Sequence, residues 1–496
     1  MFRMKRLLAT ILVFLAVGAL AVGCGSSSDG GGSTKPGVTN PSTGTSGSTG
    51  GSTGPGFSAR TTVIQSQLMP KAVFIYQPAK GAAVPLQVPL AGSPSSVAVA
   101  TFTPTGSSTS VTRVYVTQPV ERSIGWFDVG WDQAGNAYVP GSVSYIDVST
   151  ATVSSPALMS QLGFLSIFMV VLDPILQMAI FPMGVTPDAA THRLYVPSLI
   201  CTLELNMDTN AFLQSHVGID ILGAGASGMP AFDLGAVDCK VVNGDLFVAN
   251  LITGTVSQFN LSTGLMTRSV PVQMLPIRLA VDTTPARNVV VAEMGGGFSV
   301  IAPSGSVTSV ATSGIVPVDV ECYKHGTADV IAVAHLVSGD IELFDAGTLL
   351  STGVIQPTNF NAMVSGMTGT SMTSMINTIL SQFTSGANLG SVGALIQGLL
   401  NMFFGTSGGV LGGIFQSIFG MGLPMVGLEA ICYSASLGST GVPYLGATDG
   451  LFGSANVLDP GTGNVVWSYG SLTAVMSSTS TSSIPFPLLV DLKLFP

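Results

Sequence analysis

A chain of 496 residues has room for one large domain or several ordinary ones. Only 8% of its residues are charged and 61 are glycine, while the mean hydropathy is +0.57; that balance is too apolar for a disordered chain and too glycine-rich for a helical one. The net charge is −9 and the 16 basic residues are spread thinly, without the basic patch or arginine–aromatic cluster that neutralises phosphates, which excludes nucleic acid as a partner.

The chain opens with a cationic MFRMKR and an uncharged LLATILVFLAVGAL, the first two regions of a secretory signal peptide covering residues 1–23. The run ends in ALAVGC, residues 19–24. This resembles a bacterial lipobox, in which small residues precede a cysteine that is diacylated and becomes the mature N-terminus. Ala21 stands where leucine is usual, and Leu20 comes one step early. The resemblance makes Cys24 the lipidation site, and Gly25 in place of aspartate implies sorting to the outer membrane, on its periplasmic face or at the cell surface. The alternative is ordinary cleavage after ALA at 19–21, which leaves Cys24 a plain thiol. Residues 24–57 are rich in Gly, Ser and Thr. They read as a flexible tether with an r.m.s. span of about 30 Å.

From residue 58 onward one strand phrase recurs: VFIYQ at 73–77, VYVTQ at 114–118, LYVPS at 194–198, LFVAN at 246–250, VVVAE at 289–293, IAVAH at 331–335 and VPYLGAT at 442–448. Between Ile75, Val116, Val196, Val248, Val291, Val333 and Leu445 the spacings are 41, 80, 52, 43, 42 and 112. The short ones agree on a unit of about 42 residues, the size of one propeller blade. A second strand usually follows and ends in an Asp or Asn turn: YIDVSTA at 145–151, FNLSTG at 259–264, LFDAGT at 343–348, VLDPGTG at 457–463. Asp and Asn suit such turns because their side chains bond the backbone two residues on. Strand and turn phrases together resemble the YVTN family of β-propeller repeats over about 70–155 and 184–350, and more weakly over 428–496. The resemblance implies an all-β, seven-bladed propeller.

The last residues complete the count. PFPLLVD, within 484–496, matches the innermost strand of a blade, and KAVFIYQPAKGAAVPLQVPLAG at 71–92 matches the later strands of a blade that lacks its first. Joined, they make the seventh blade, a clasp that leaves no open edge at the junction.

Two apolar insertions stretch the longer spacings, at about 152–183 and 351–427. Within the first, 156–183 carries one charge, Asp173; residues 346–428 carry none and hold seven methionines. Helical spacing runs through Met372, Met375, Ile376, Ile379, Leu380 and Phe383, then Val392 to Phe403, then Ile414 to Phe419. These stretches are too short to span a bilayer. They read either as a helical cap on one mouth of the propeller or as an apolar contact surface for a membrane, a hydrophobic ligand or a protein partner.

Candidate chemistry is sparse. Cys201, Cys239, Cys322 and Cys432 suit disulfides in an exported protein, with Cys322–Cys432 and Cys201–Cys239 as rival pairings and free buried thiols as the alternative. Asp238, Asp282 and Asp491, with Asp319 and Glu321, fall near innermost strands, where they either converge on a channel cation or serve turns and caps. The four histidines show no metal-ligand spacing, and His335 reads as a polar strand end. No cofactor is implied. The expectation is a lipid-tethered binding or scaffolding platform; an enzyme of the lactonase or lyase type found on similar propellers is the alternative.

Overall fold

The computed structural model describes residues 60–67, 71–80, 85–162, 166, 173–174, 176–220, 231–355 (274, 315 and 337 excepted), 428–434, 443–449, 454–469 and 491–495. Residues 1–57, expected to be signal peptide and tether, and the stretch 356–427 with its expected helices lie outside these residues.

Among the described residues the strands form seven antiparallel sheets of four strands or more and one short pair, Ile219–Asp220 with Ala231–Phe232. Blade 1 joins Leu492–Phe495 to Thr62–Gln67, Ala72–Tyr76 and Leu86–Pro89. Blade 2 begins at Val97–Phe102, blade 3 at Thr186–Asp188, blade 4 at Ala236–Val242, blade 5 at Pro276–Val281, blade 6 at Pro317–His325 and blade 7 at Leu428–Ser434. From these innermost strands the other strands follow outward in chain order, except that blade 1 takes its innermost strand from residues 492–495 and that in blade 2 the third strand, Ser123–Asp132, pairs with both Ala137–Pro140 and Ser144–Asp147. Each innermost strand packs against those of its neighbours, and Leu492–Phe495 packs against both blade 7 and blade 2, so the ring closes. The protein is a seven-bladed β-propeller.

The sequence pattern explains why. Seven buried apolar clusters exist, one between each pair of adjacent blades. A second strand is covered on both faces, so alternate residues feed different clusters: Val290 and Ala292 pack toward blade 6, Val289 and Val291 toward blade 4. That is why VVVAE and IAVAH read as unbroken apolar runs although period-2 alternation is the rule for a half-exposed strand. Outermost strands show the solvated pattern: in Ser351–Ile355 only the last residue is buried.

The Asp/Asn turns form as expected. Asp147 accepts from the Ser149 amide (2.8 Å), Asn260 from Ser262 and Thr263 (both 3.1 Å), Asp345 from Gly347 (3.1 Å) and Thr348 (2.7 Å), and Asp459 from Gly461 (2.8 Å). Asn206, which the phrase search passed over, does the same for Asp208 and Thr209.

Two readings are corrected. VFIYQ is not a second strand: Ile75 lies on the third strand of blade 1, and the second is Thr62–Gln67. The 41-residue spacing from Ile75 to Val116 therefore compares unlike strands. The described part of the closing strand is Leu492–Phe495, just after PFPLLVD, in register with Thr62–Gln65; residues 485–490 of that phrase lie outside the described residues. The second insertion starts later than expected, because Ser351–Ile355 is the fourth strand of blade 6. The described residues of the first insertion include a seven-residue helix, Pro156–Leu162, and helical positions at 173–174 and 176–177. Its Leu158 and Ile180 are buried in the cluster between blades 2 and 3. Asp173 accepts the amides of Val153 (2.7 Å) and Ser154 (3.1 Å), and Arg122 donates to the carbonyls of Ile180 (3.1 Å) and Gln177. These described residues wedge into a blade junction and do not form a free apolar face.

Candidate functional site

The innermost strands of a propeller line its central channel, and their alternation decides which side chains face it. Cys239, Leu279, Val320, Ile431 and Leu492 are buried in the blade junctions. Their neighbours therefore turn to the lumen: Asp238 and Lys240 from blade 4, Arg278 from blade 5, Asp319 and Glu321 from blade 6, Asp491 and Lys493 from blade 1. Three of these pairs come from one written phrase: VDCK at 237–240, VDVE at 318–321 and VDLK at 490–493.

The three aspartates share a geometry. Asp238 Oδ2 accepts the Leu279 amide at 2.8 Å, Asp319 Oδ2 accepts the Ile431 amide at 2.8 Å, and Asp491 Oδ2 accepts the Val97 amide at 3.0 Å and the Ser96 hydroxyl at 2.7 Å. Each thus staples its innermost strand to that of the next blade, joining blades 4 to 5, 6 to 7 and 1 to 2. In the first two cases a β-bulge just ahead of the aspartate locally re-aims the strand. The other oxygen is also used: Asp319 Oδ1 takes the Val320 amide and Asp491 Oδ1 the Leu492 amide, both at 2.9 Å. A charge-assisted bond of this type contributes about 1.5–3 kcal/mol.

The cations stand further off. Lys240 Nζ is 3.6 Å from Asp238, Lys493 Nζ is 3.6 Å from Asp491, and Arg278 Nη2 reaches from blade 5 to within 3.8 Å of Asp491. Burial pushes the Asp491 carboxyl up, but Lys493, Arg278, the Ser96 hydroxyl and the Val97 amide outweigh it and hold it at about 2. Burial wins at the other two: Asp319 is raised to about 6 against Arg278 and Lys493, and Glu321 to about 7 against Lys493, with Asp319 adding to the rise. Lys493 is opposed by burial, yet Asp491, Cys432, Asp319 and Glu321 keep it above its ordinary value. The channel carries a belt of four acids and three bases, in which Glu321 titrates closest to neutrality.

The remaining candidates lie elsewhere. Asp282 caps the turn leaving its strand, accepting Thr284 Oγ1 (2.8 Å) and the Asn288 amide (3.0 Å) and side chain (2.7 Å). Among the described residues no three His, Cys, Asp or Glu side chains form a metal-binding group. Cys201, Cys239, Cys322 and Cys432 are all free thiols; burial pushes Cys201 and Cys239 up to about 12. Cys432 shares the field of Lys493 and Glu321.

His335 is fully buried, its Nδ1 3.0 Å from Asp340. The equivalent strand ends Gln118, Ser198, Asn250 and Glu293 are buried too, and Ser198 and Glu293 hold chain entering the blade through the amides of Phe181 (3.1 Å) and Gln273 (3.2 Å). His216 pairs with Glu204 at 2.9 Å beside a small cavity between blades 3 and 4, where Asp233 accepts the hydroxyls of Thr255, Ser257 and Ser269. The sequence reading missed the cations. The signal was present, because in VDCK and VDLK the lysine sits two residues after the aspartate and so shares its face.

No family model and no curated protein matches the chain. Among solved structures it is similar to a functionally unknown protein from Desulfotomaculum acetoxidans DSM 771, at 10% identity over 83% of this chain and 96% of that one, with a TM-score of 0.47. A second similarity, to Kuenenia stuttgartiensis hydrazine synthase, has 16% identity over 36% of this chain and 49% of that one, with a TM-score of 0.30. The propeller assignment rests on the seven sheets themselves.

Proposed function

We propose that the protein is an exported, lipid-tethered β-propeller of YVTN type that works as a non-enzymatic binding platform in the outer membrane, with the channel as its ligand site and the apolar stretch at 356–427 as a contact for a partner or the membrane. The observation that supports binding over catalysis is the use made of the channel carboxylates. Asp319 and Asp491 commit both oxygens, and Asp238 one, to the channel wall, whereas a general acid or base needs an oxygen open to substrate. The lipobox-like ALAVGC supports the tether.

Metabolic labelling with a palmitate analogue, followed by membrane fractionation, tests the tether. Label and outer-membrane location are expected for the native chain, and loss of both for Cys24→Ala. An unlabelled native chain in the soluble fraction would overturn it. A version lacking 356–427 is expected to lose the partner that the full chain retains from solubilised membranes; unchanged retention would remove that stretch from the reading.

A further inference from the structure

We propose that the channel belt is a binding site for a small multivalent oxyanion, of the polycarboxylate or phosphate class, and that its occupant holds the clasp strand in place. This rests on the channel being the ligand site.

The argument turns on which hydrogen-bonding capacity the belt has left. The acceptors of two belt acids are spent on the channel wall: Asp491 takes two amides and a hydroxyl, and Asp319 takes two amides; Asp238 commits one oxygen. The donors are not spent. Lys240 and Lys493 lie 3.6 Å from their carboxylates, outside the 2.7–3.2 Å of a formed bond, and their side chains keep 34% and 35% of their exposure inside the lumen. An ammonium carries three donors. Arg278 adds a third positive charge, and it converges with Lys493 on opposite oxygens of Asp491. Lys240 stands 3.6 Å from Asp238, which holds the amide of Leu279 next to Arg278, and Arg278 in turn reaches Asp491 beside Lys493; the two ammoniums, though from blades 4 and 1, are linked through this chain of contacts, with Glu321 in the field of both. An oxyanion entering there completes donor sets that the wall leaves open, with geometry suited to several oxygens at once.

The site is incomplete without the clasp. Lys493 belongs to Leu492–Phe495, while Lys240 and Arg278 belong to blades 4 and 5. An anion bridging them binds only the closed ring and stabilises it by mass action. Ligand occupancy and closure are therefore one equilibrium.

The test is isothermal titration of the full mature chain with citrate and, separately, with inorganic phosphate, against chloride at matched ionic strength, paired with melting curves. Saturable binding with a Tm rise of a few degrees at a hundredfold excess over Kd is expected. Citrate alone, phosphate alone or both each support the site and identify which oxyanion it takes. Lys240→Gln should weaken binding about tenfold and Glu321→Gln, which removes a competing carboxylate, should tighten it about tenfold. Lys71→Gln, outside the channel beside Glu121, should change nothing. If Lys240→Gln unfolds the chain, the opposite-signed Glu321→Gln effect still decides. No saturable binding beyond chloride, or unchanged affinity in both channel variants, overturns the inference; an intact Cys24-dependent membrane location alongside that result leaves the tethered reading standing.

Discussion

Replacing Asp491 by asparagine keeps the shape of the clasp staple and removes its charge. The carboxyl sits at about 2 in the folded protein against an unperturbed 3.8, a difference of nearly two units. By linkage that is about 2.5 kcal/mol of stability at neutral pH. The group is depressed, so this stability is fully present above 3.8 and is lost as pH falls toward 2. The amide adds a second cost. Asp491 uses both oxygens, one for Ser96 and Val97 and the other for Leu492, and an amide nitrogen must replace one of them, setting donor against donor for about 1 kcal/mol more. Asp491→Asn should therefore lose about 3–4 kcal/mol in urea unfolding at pH 7, followed by circular dichroism and by the summed fluorescence of Trp126, Trp131 and Trp467. The gap to the native protein should narrow as pH is lowered below 4. A loss under about 0.5 kcal/mol, or a gap independent of acid pH, would refute the staple.

Glu321 behaves in the opposite sense. Its carboxyl is raised to about 7, so the folded state binds the proton more tightly, and stability falls as pH rises from about 4.5 through 7. Glu321→Gln should remove that slope and be about 3 kcal/mol more stable than the native chain at pH 8, with no difference at pH 4; urea midpoints at both values check it. Free thiols at Cys201, Cys239, Cys322 and Cys432 predict four reactive equivalents for Cys24→Ser in denaturant without reductant. Two or none would indicate disulfides. Ile331→Ala, at a fully buried second-strand position between blades 5 and 6, should cost about 2–5 kcal/mol. Joining Ile355 to Leu428 through a short Gly/Ser bridge should leave a soluble, sheet-rich propeller, since the fourth strand of blade 6 and the first of blade 7 are complete without 356–427; an insoluble product with lost sheet would make that stretch a cap.

The architecture was legible because blade packing writes itself into local sequence. A strand sandwiched between two clusters must be apolar at every position, and a strand-ending Asx turn needs Asp or Asn at a fixed place; both signals are short-range. Thr62–Gln67 escaped because TVIQSQ breaks the rule: every residue is buried, yet Gln65 is satisfied both across blades, donating to Thr448 (2.7 Å), and within its own, accepting from Tyr76 (2.8 Å). Composition alone reads such a strand as a loop.

The channel belt was half legible. The carboxylates stood out on the innermost strands, but their partners are amides of the next blade, more than a hundred residues away for Asp319 and Ile431. Nothing local distinguishes a staple from a metal ligand. Asp282 shows the reverse failure: its partner Asn288 is six residues off, and the turn role follows once the strand boundary is known.

The central claim is that the chain's last strand closes the ring. Native-state hydrogen exchange, read on the peptide spanning Leu492–Phe495, tests it most directly. These residues pair with Thr62–Gln65 and pack against the innermost strands of blades 7 and 2. Their amides should exchange as slowly as those of Val289–Glu293 in the middle of the ring, and Asp491→Asn should speed both the clasp and Val97 without a comparable change at Val289–Glu293. Exchange of 492–495 at unfolded-chain rates in the native protein would contradict the closed ring.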